Sequence, residues 1–167
     1  VSDYLDSLQT FATVGVLAVS SGSEVNYVNA SFIAKEKNIE LTTSEFSNHS
    51  GYQNKVSIKI TTPTGVKTIS GTVFNEDVQR IVEINGFPLD IEPKGKMIVM
   101  RNNDVPGVIG EVGKILGDNN INIADFRLSR GKEGALAVIL IDEKASSDIL
   151  KKLGNLEAAI AVAYAEI

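Results

Sequence analysis

The sequence predicts an α+β protein in two parts, an N-terminal α/β sandwich over residues 1–94 and a βαββαβ domain over residues 95–167. Three observations predict it. Apolar residues recur with helical period at the start of the chain and in two later segments, and they alternate with period two in the segments between. The second run of elements reads strand, helix, strand, strand, helix, strand. A polar tetrapeptide, EPKG at 92–95, separates the two runs and places the boundary near Lys94.

Residues 3–20, DYLDSLQTFATVGVLAVS, set Tyr4, Leu5, Leu8, Phe11, Ala12 and Gly15 on one helical face, and the Ser/Gly cluster at 20–23 ends the pattern. A second helix is expected over 24–37, with Val25, Val28, Ala30, Phe32 and Ile33 as its apolar positions. Residues 39–46 alternate loosely and suit a strand; SNHSGYQN at 47–54 is a polar loop. Val56, Ile58 and Ile60 alternate with Ser57 and Lys59, which marks a half-buried strand. TPTG at 62–65 turns the chain into a strand at 66–74. A further pair at 78–84 and 87–91 is joined by Asn85-Gly86, the positive-φ dipeptide that a tight hairpin needs.

Beyond the boundary, 96–101 is a strand and Asp104-Val105-Pro106-Gly107 turns into a helix reaching about Gly117. Its buried side is Val108, Ile109, Val112, Ile115 and Leu116, and Gly110 and Gly113 are expected to leave a flat side against a sheet. Strands follow at 121–129 and 135–141, then a helix at 146–153 closed by Gly154 and Asn155, and a last strand at 157–167. This is the ferredoxin-like order. Right-handed crossovers put both helices on one face of a four-stranded antiparallel sheet, and the other face and an edge strand are expected to be open to a partner.

Composition narrows the chemistry. Sixteen Lys and Arg against 21 Asp and Glu give 16 − 21 = −5, which argues against a general binder of nucleic acid or anionic membrane. With Cys absent and a single His, disulfides, thiolate nucleophiles, Cys-ligated zinc, iron–sulfur clusters and a His-rich metal site are excluded. The longest apolar stretches, 12–19 and 158–165, are too short to span a bilayer, and the second is expected to be a buried edge strand or a dimer seam. No basic segment precedes an apolar run with a cleavage site, so no secretory signal is read. The start at Val1, without Met, suggests a fragment of a longer chain. No G-x-G-x-x-G occurs, nor a recognisable nucleophile–base pair, so a catalyst in its own right ranks below a binding module. His49 reads as a structural loop residue, Lys151-Lys152 with Asp148 as a helix surface pair, and Asn26 and Asn29 as surface or capping residues.

One stretch carries recognisable binding chemistry: MRNNDVPGVIGEVGKIL at 100–116, followed by Asn120-Ile121-Asn122-Ile123. Pro106 has φ preset for a first helical turn and lacks an N–H that would go unpaired there. Gly107 admits a ligand close to the backbone. The first amides of the helix form an anion cradle suited to a carboxylate. Asp104 can cap those amides or bind a cation. A carboxylate site beside an ammonium site is the minimal recipe for holding a free α-amino acid; a plain capped helix start is the simpler reading of the same residues.

The stretch DVPGVIGEVGKILGDNNINIADFRLSRG resembles the ACT domain, an amino-acid-sensing module of metabolic enzymes. VNYVNA at 25–30, SEFSNH at 44–49 and RIVEINGFPLD at 80–90 resemble the C-terminal half of the long-form D-3-phosphoglycerate dehydrogenase family, in which an intervening, allosteric substrate-binding domain precedes the ACT domain. The resemblance implies a regulatory region with no catalysis of its own, attached to NAD-dependent catalytic domains of the same cytoplasmic polypeptide. It implies L-serine bound between two ACT domains of a homodimer or higher homo-oligomer, for feedback inhibition of serine biosynthesis. The family's contact positions fall on Asn102, Asp104 and, from across the dimer, Asn122. Asp104 would then take the ammonium, Asn122 the carboxylate or ammonium edge, Asn102 the hydroxyl, and the amides of Val105, Pro106-Gly107 and Val108 the remaining carboxylate oxygen. Arg80 is carried over as a possible anion contact of the first domain, where Phe87 and Glu92 stand in places that would favour positive charge. No metal or cofactor is implied for the region itself. The alternatives are the regulatory part of an iron–sulfur L-serine dehydratase or another ACT-containing regulatory subunit acting in trans, such as that of a branched-chain acetohydroxyacid synthase, which carries its ACT module at the N-terminus.

Overall fold

The computed structural model describes residues 4–21, 24–46, 51–75 and 77–167. Packing divides the chain into one unit ending at Asn54 and a second from Lys55 to Ile167. The EPKG segment at 92–95 links two sheets that share the second unit.

The first unit is helical, with α1 at Leu5–Ser21 and α2 at Ala30–Glu36. Apolar residues lie nearly all round α1, so its periodicity alone does not choose a face; its neighbour does. Thr13 and Leu17, one turn apart, are the buried positions, and the expected Tyr4/Phe11 face points outward at 67% and 56% exposure. Leu17 packs with Val25, Ala30 and Ala34, flanked by Val14, Ile33 and Leu41, and Phe11 meets the edge of Tyr27 at 4.9 Å between ring centroids. The second helix is shorter than expected because two asparagines build a competing turn. The Oδ1 of Asn26 accepts from the N–H groups of Val28 (2.9 Å) and Asn29 (3.1 Å), and the Oδ1 of Asn29 accepts from the Asn26 N–H at 2.8 Å. Helix therefore begins only at Ala30, leaving Val28 94% exposed. The strand expected at 39–46 is absent. Leu41 instead packs on the helices, and Gln9 Nε2 donates to Thr43 Oγ1 at 2.7 Å. His49 lies outside the described residues.

The second unit opens with a meander of β1 (Val56–Thr62), β2 (Gly65–Phe74), β3 (Val78–Ile84) and β4 (Phe87–Ile91), paired antiparallel in chain order. The hairpin dipeptide behaves as its residue types require, with φ of 50° at Asn85 and 81° at Gly86. Asn85 also ties the turn to the neighbouring strand: its N–H donates to the Thr68 carbonyl, and its Oδ1 accepts from the Thr68 N–H, both at 2.9 Å. Of the lysines near these strands, Lys59 and Lys67 are solvated, and Lys55 pairs with Glu83 at 3.0 Å.

The remaining elements are β5 (Lys96–Asn102), α3 (Val108–Asp118), β6 (Ile123–Gly131), β7 (Gly134–Ile141), α4 (Ser147–Gly154) and β8 (Ala159–Glu166). The sheet order β6-β7-β5-β8, antiparallel throughout, is the expected ferredoxin-like arrangement. One core joins Ile98, Met100, Ala137, Ile139 and Ile141 of the sheet to Val108, Val112 and Leu116 of α3 and to Ile149 and Leu153 of α4. The α3 glycines are not at this contact. A Cβ at Gly110 or Gly113 would meet nothing within 4 Å, so the flat side faces away from the sheet, and branched side chains make the contact instead. The run at 158–165 forms the edge strand β8, half-buried, with Ile160 51% exposed. No helix among the described residues is long and apolar enough to cross a membrane.

The face expected to be open is covered in part. Phe87, Leu89 and Ile91 of β4 pack on Met97, Leu136, Val138 and Leu140, making a second core on the far side of the sheet. Strand β7 is therefore buried on both faces. Its Ala135, Ala137, Ile139 and Ile141 lie on the helix side, and Leu136, Val138 and Leu140 on the β4 side.

Two substitutions test these contacts. Gly134 has φ of 102°, and a Cβ there would run into the Asn102 carbonyl oxygen. Gly134→Ala is expected to lower unfolding free energy by at least about 2 kcal/mol, read from a shifted urea midpoint. Phe87 is 6% exposed. Phe87→Ala is expected to cost about 3–5 kcal/mol in the same measurement, and a loss under about 1 kcal/mol would show that the β4 layer is not docked in solution.

Candidate functional site

The segment with binding chemistry leaves the end of β5 and enters α3, and three devices fix its path. Asn102 is 2% exposed, and its Oδ1 accepts from the Asp104 N–H at 2.9 Å. The Asn103 N–H donates to the Ala158 carbonyl at 2.9 Å, tying the segment to the start of β8. The backbone is left-handed at Asp104 (φ 53°) and again at Gly107 (φ 97°). Aspartate is among the few residues with a side chain that visit this region, and glycine does so without strain.

These turns decide what Asp104 can reach. It does not cap α3: the N-cap position is Gly107, which makes no side-chain cap hydrogen bond, and among the described residues no side chain accepts from the first-turn amides. The helix start is thus an uncapped cluster of N–H groups at the positive end of the macrodipole. The Asp104 carboxylate instead meets a cation, with its Oδ1 3.1 Å from Nε of Arg130. The Asp104 side chain is 29% exposed, so the pair sits at a surface where a small ligand can approach. Val105, Pro106 and Gly107 are exposed around it, and Val108 turns into the core.

Arg130 was not among the residues singled out by pattern. Its position follows from register. Asn102 pairs with Ala135, and Ala135 pairs with Arg130, so the three share one row across β5, β7 and β6. Arg130 follows Phe126 and Leu128 in alternation, and both of those pack in the helix-side core, so it leaves the sheet on the same side as Asn102. The βαββαβ topology read together with that alternation is the signal that could have found it.

Asn122 is not brought to this site within one chain. It precedes Ile123, which shares a row with Ile141 and Lys96 at the opposite end of the sheet, roughly 20 Å along the strands. Asn122 Nδ2 donates to Asp142 Oδ2 at 2.7 Å, and the Asn122 N–H donates to Glu143 Oε2 at 2.8 Å.

Arg80 stands apart in the meander sheet, at a shallow cleft of about 440 Å³ lined by Asp77, Val78, Gln79, Arg80, Glu92 and Pro93. Its Nε is 3.1 Å from Asp90 Oδ1, and its Nη1 is 3.9 Å from Glu92 Oε2. A hydrogen bond from Lys94, with the charges of Lys94 and Arg80, outweighs desolvation and holds the Glu92 carboxyl below its usual range. Carboxylates therefore already occupy the guanidinium that an anion would need. Phe87 belongs to the core and offers no contact at this cleft. On α4, Lys151 and Asp148 form the expected surface pair at 3.6 Å. Among the described residues no group of His, Asp and Glu is arranged to hold a metal ion.

Comparison with known proteins bears on the whole chain. Residues 4–85 match the D-3-phosphoglycerate dehydrogenase intervening domain, and residues 96–158 match the ACT domain. D-3-phosphoglycerate dehydrogenase of Bacillus subtilis is 39% identical over 150 residues, covering 89% of this chain and 29% of that protein. The proteins of the same name from Archaeoglobus fulgidus and Synechocystis sp. are 30% and 28% identical, over 87% and 98% of this chain and 28% and 30% of theirs. The chain spans less than a third of the length of these curated relatives. Two domain matches in series, with an identity of 39% running through most of both, place it: the chain belongs to the D-3-phosphoglycerate dehydrogenase family, of which it carries the intervening and ACT domains.

Proposed function

We propose that this region senses L-serine and transmits feedback inhibition to NAD-dependent catalytic domains of a cytoplasmic phosphoglycerate dehydrogenase. The observation that carries the reading is the uncapped start of α3 beside an Asp104 turned toward a cation. The N–H groups of Val105, Gly107 and Val108 offer a carboxylate partners at the helix start, Pro106 having no N–H to give. Asp104, part-exposed beside them in the chain, offers a carboxylate to an ammonium. Asn102 acts as a positioning residue, because its oxygen is committed to the Asp104 N–H. The functional division we infer is an intervening domain over 1–94 and a sensing domain over 95–167. For Arg80, held by Asp90 and Glu92, no anion-binding role is proposed.

A second copy completes the site. Among the described residues β6 pairs only with β7, so its outer edge is free for another strand. Two β6 edges joined antiparallel about a two-fold axis would set the start of one strand opposite the end of the other. Asn122 of the second copy would then arrive beside Arg130 and Asp104. Its amide nitrogen is held by Asp142, which leaves its oxygen as an acceptor for the ligand ammonium or hydroxyl.

In the full-length protein, the catalytic domains would oxidise 3-phosphoglycerate to 3-phosphohydroxypyruvate. No strand–glycine loop–helix unit that cradles a dinucleotide occurs among the described residues, so the hydride chemistry of NAD belongs to other domains. Serine inhibits by binding one conformation of the assembly more tightly than another, and the shift is limited by that difference in affinity.

Calorimetric titration with L-serine tests the reading. Saturable binding is expected, with a midpoint that depends on protein concentration if the site spans two copies. Asp104→Asn keeps a residue type that tolerates the left-handed backbone while removing the charge. It is expected to weaken serine binding about 10- to 100-fold, the range for losing a charged hydrogen bond. A folded chain that gives no heat with millimolar serine would overturn the proposal.

A further inference from the structure

We propose that Arg130 is a ligand-binding residue of this site, receiving the carboxylate of a zwitterionic α-amino acid whose ammonium rests on Asp104. The inference builds on the reading above, because it presumes that Asp104 takes the ammonium.

Three observations carry it. Arg130 lies 3.1 Å from Asp104 Oδ1 through its Nε, and no other residue forms a hydrogen bond or ion pair with its guanidinium among the described residues. With Asp104 as its one partner, the guanidinium keeps donors to spare, and a guanidinium matches a second carboxylate in plane. The Arg130 side chain is 72% exposed. An exposed pair of this kind adds little to stability, so holding the fold together does not account for the arginine's placement.

The third observation is that the arginine's base is fixed even though its tip is solvated. Arg101 Nη2 donates to the Glu133 carbonyl at 2.8 Å, anchoring the β6–β7 turn to β5. Gly134 lies against the Asn102 carbonyl, and a Cβ at Gly131 would come 2.9 Å from Cε1 of Phe87. The turn that follows Arg130 is thus wedged between Asn102 and Asn103 on one side and Phe87 of β4 on the other. The backbone that carries Arg130 is held in place before any ligand arrives, which reduces the ordering cost of binding.

Charge balance then describes the occupant. Asp104 and Arg130 together are neutral, and so is a free amino acid. An ammonium on Asp104 and a carboxylate on Arg130 close a ring of alternating charges without breaking the existing pair. A simple amine leaves the spare donors unused, and a simple carboxylic acid has nothing for Asp104. The site would therefore select for both groups on one carbon, with the α3 amides adding to the hold on the carboxylate.

The test compares two ligands by calorimetry, L-serine and L-serinamide, which lacks the carboxylate, at slightly acidic pH where both amines are protonated. The wild-type chain is expected to bind serine more tightly than serinamide. Arg130→Gln is expected to weaken serine roughly 10-fold or more and to leave serinamide unchanged, with Arg130→Lys recovering part of the loss. Circular dichroism confirms folding of each variant. The proposal is overturned if Arg130→Gln binds serine as well as or better than wild type, which would make the arginine a bystander or a competitor for Asp104. It is also overturned if the variant loses both ligands alike, which would make the arginine a support for the loop. A folded wild-type chain that binds neither ligand overturns the serine-sensing reading and this inference with it. Serine binding that Asp104→Asn leaves intact overturns this inference, which presumes the ammonium on Asp104, while the serine-sensing reading stands.

Discussion

Strand β7 cannot be exposed on either side, and the second unit is organised around that constraint. From Ala135 to Ile141 every residue is buried, with small and branched side chains toward the helices and Leu136, Val138 and Leu140 on the reverse. A strand apolar on both faces needs two covering layers. One is the helix pair that the βαββαβ order supplies. The other is β4, whose Phe87, Leu89 and Ile91 complete the reverse side. The intervening-domain sheet is thereby joined to the ACT sheet through a core of its own, at about 1.5–3 kcal/mol for each large side chain fully buried.

That layering also places the binding loop. The last residues of β5, the β6–β7 turn and the β3–β4 hairpin converge at one end of the sheet. Arg101 joins them, with its guanidinium carbon 4.8 Å from the Phe87 ring centroid and its Nη2 on the Glu133 carbonyl. Its Nε, together with Ser129 Oγ, is buried without a hydrogen-bond partner among the described residues, so the junction holds polar groups that depend on its detailed packing. A change at Asp104 or Arg130 therefore has a short, packed path to the hairpin of the preceding sheet.

Legibility followed the strictness of the local code. The Asn85-Gly86 hairpin, the alternation of Val56, Ile58 and Ile60, and the Asp104-to-Gly107 turn were readable, because each rests on a backbone or pairing preference that neighbours do not override. Elsewhere the pattern was permissive and packing decided. The face of α1 was set by Leu17 against Ala30 and Ala34, and α2 was shortened by the Asn26–Asn29 turn. Gly110 and Gly113 turned outward because Val112 and Leu116 filled the contact first. In the site, Asp104 was legible as a pivot, but its left-handed backbone, which aims the carboxylate at Arg130 and away from the helix amides, belongs to the folded loop. Arg130 itself is far from Asp104 in sequence and close only through strand register.

The meander has a consequence for the order in which the chain assembles. Its pairings, β1 with β2, β2 with β3 and β3 with β4, are all between sequence neighbours, so the sheet can form as soon as it is synthesised. The surface that covers Phe87, Leu89 and Ile91 is not yet made. It requires β7, roughly 50 residues later, which at ribosomal speeds is on the order of several seconds. Over that interval the nascent protein carries a finished sheet with a greasy outer strand and nothing to dock it on. A period of exposed apolar surface during elongation is thus set by the strand order itself.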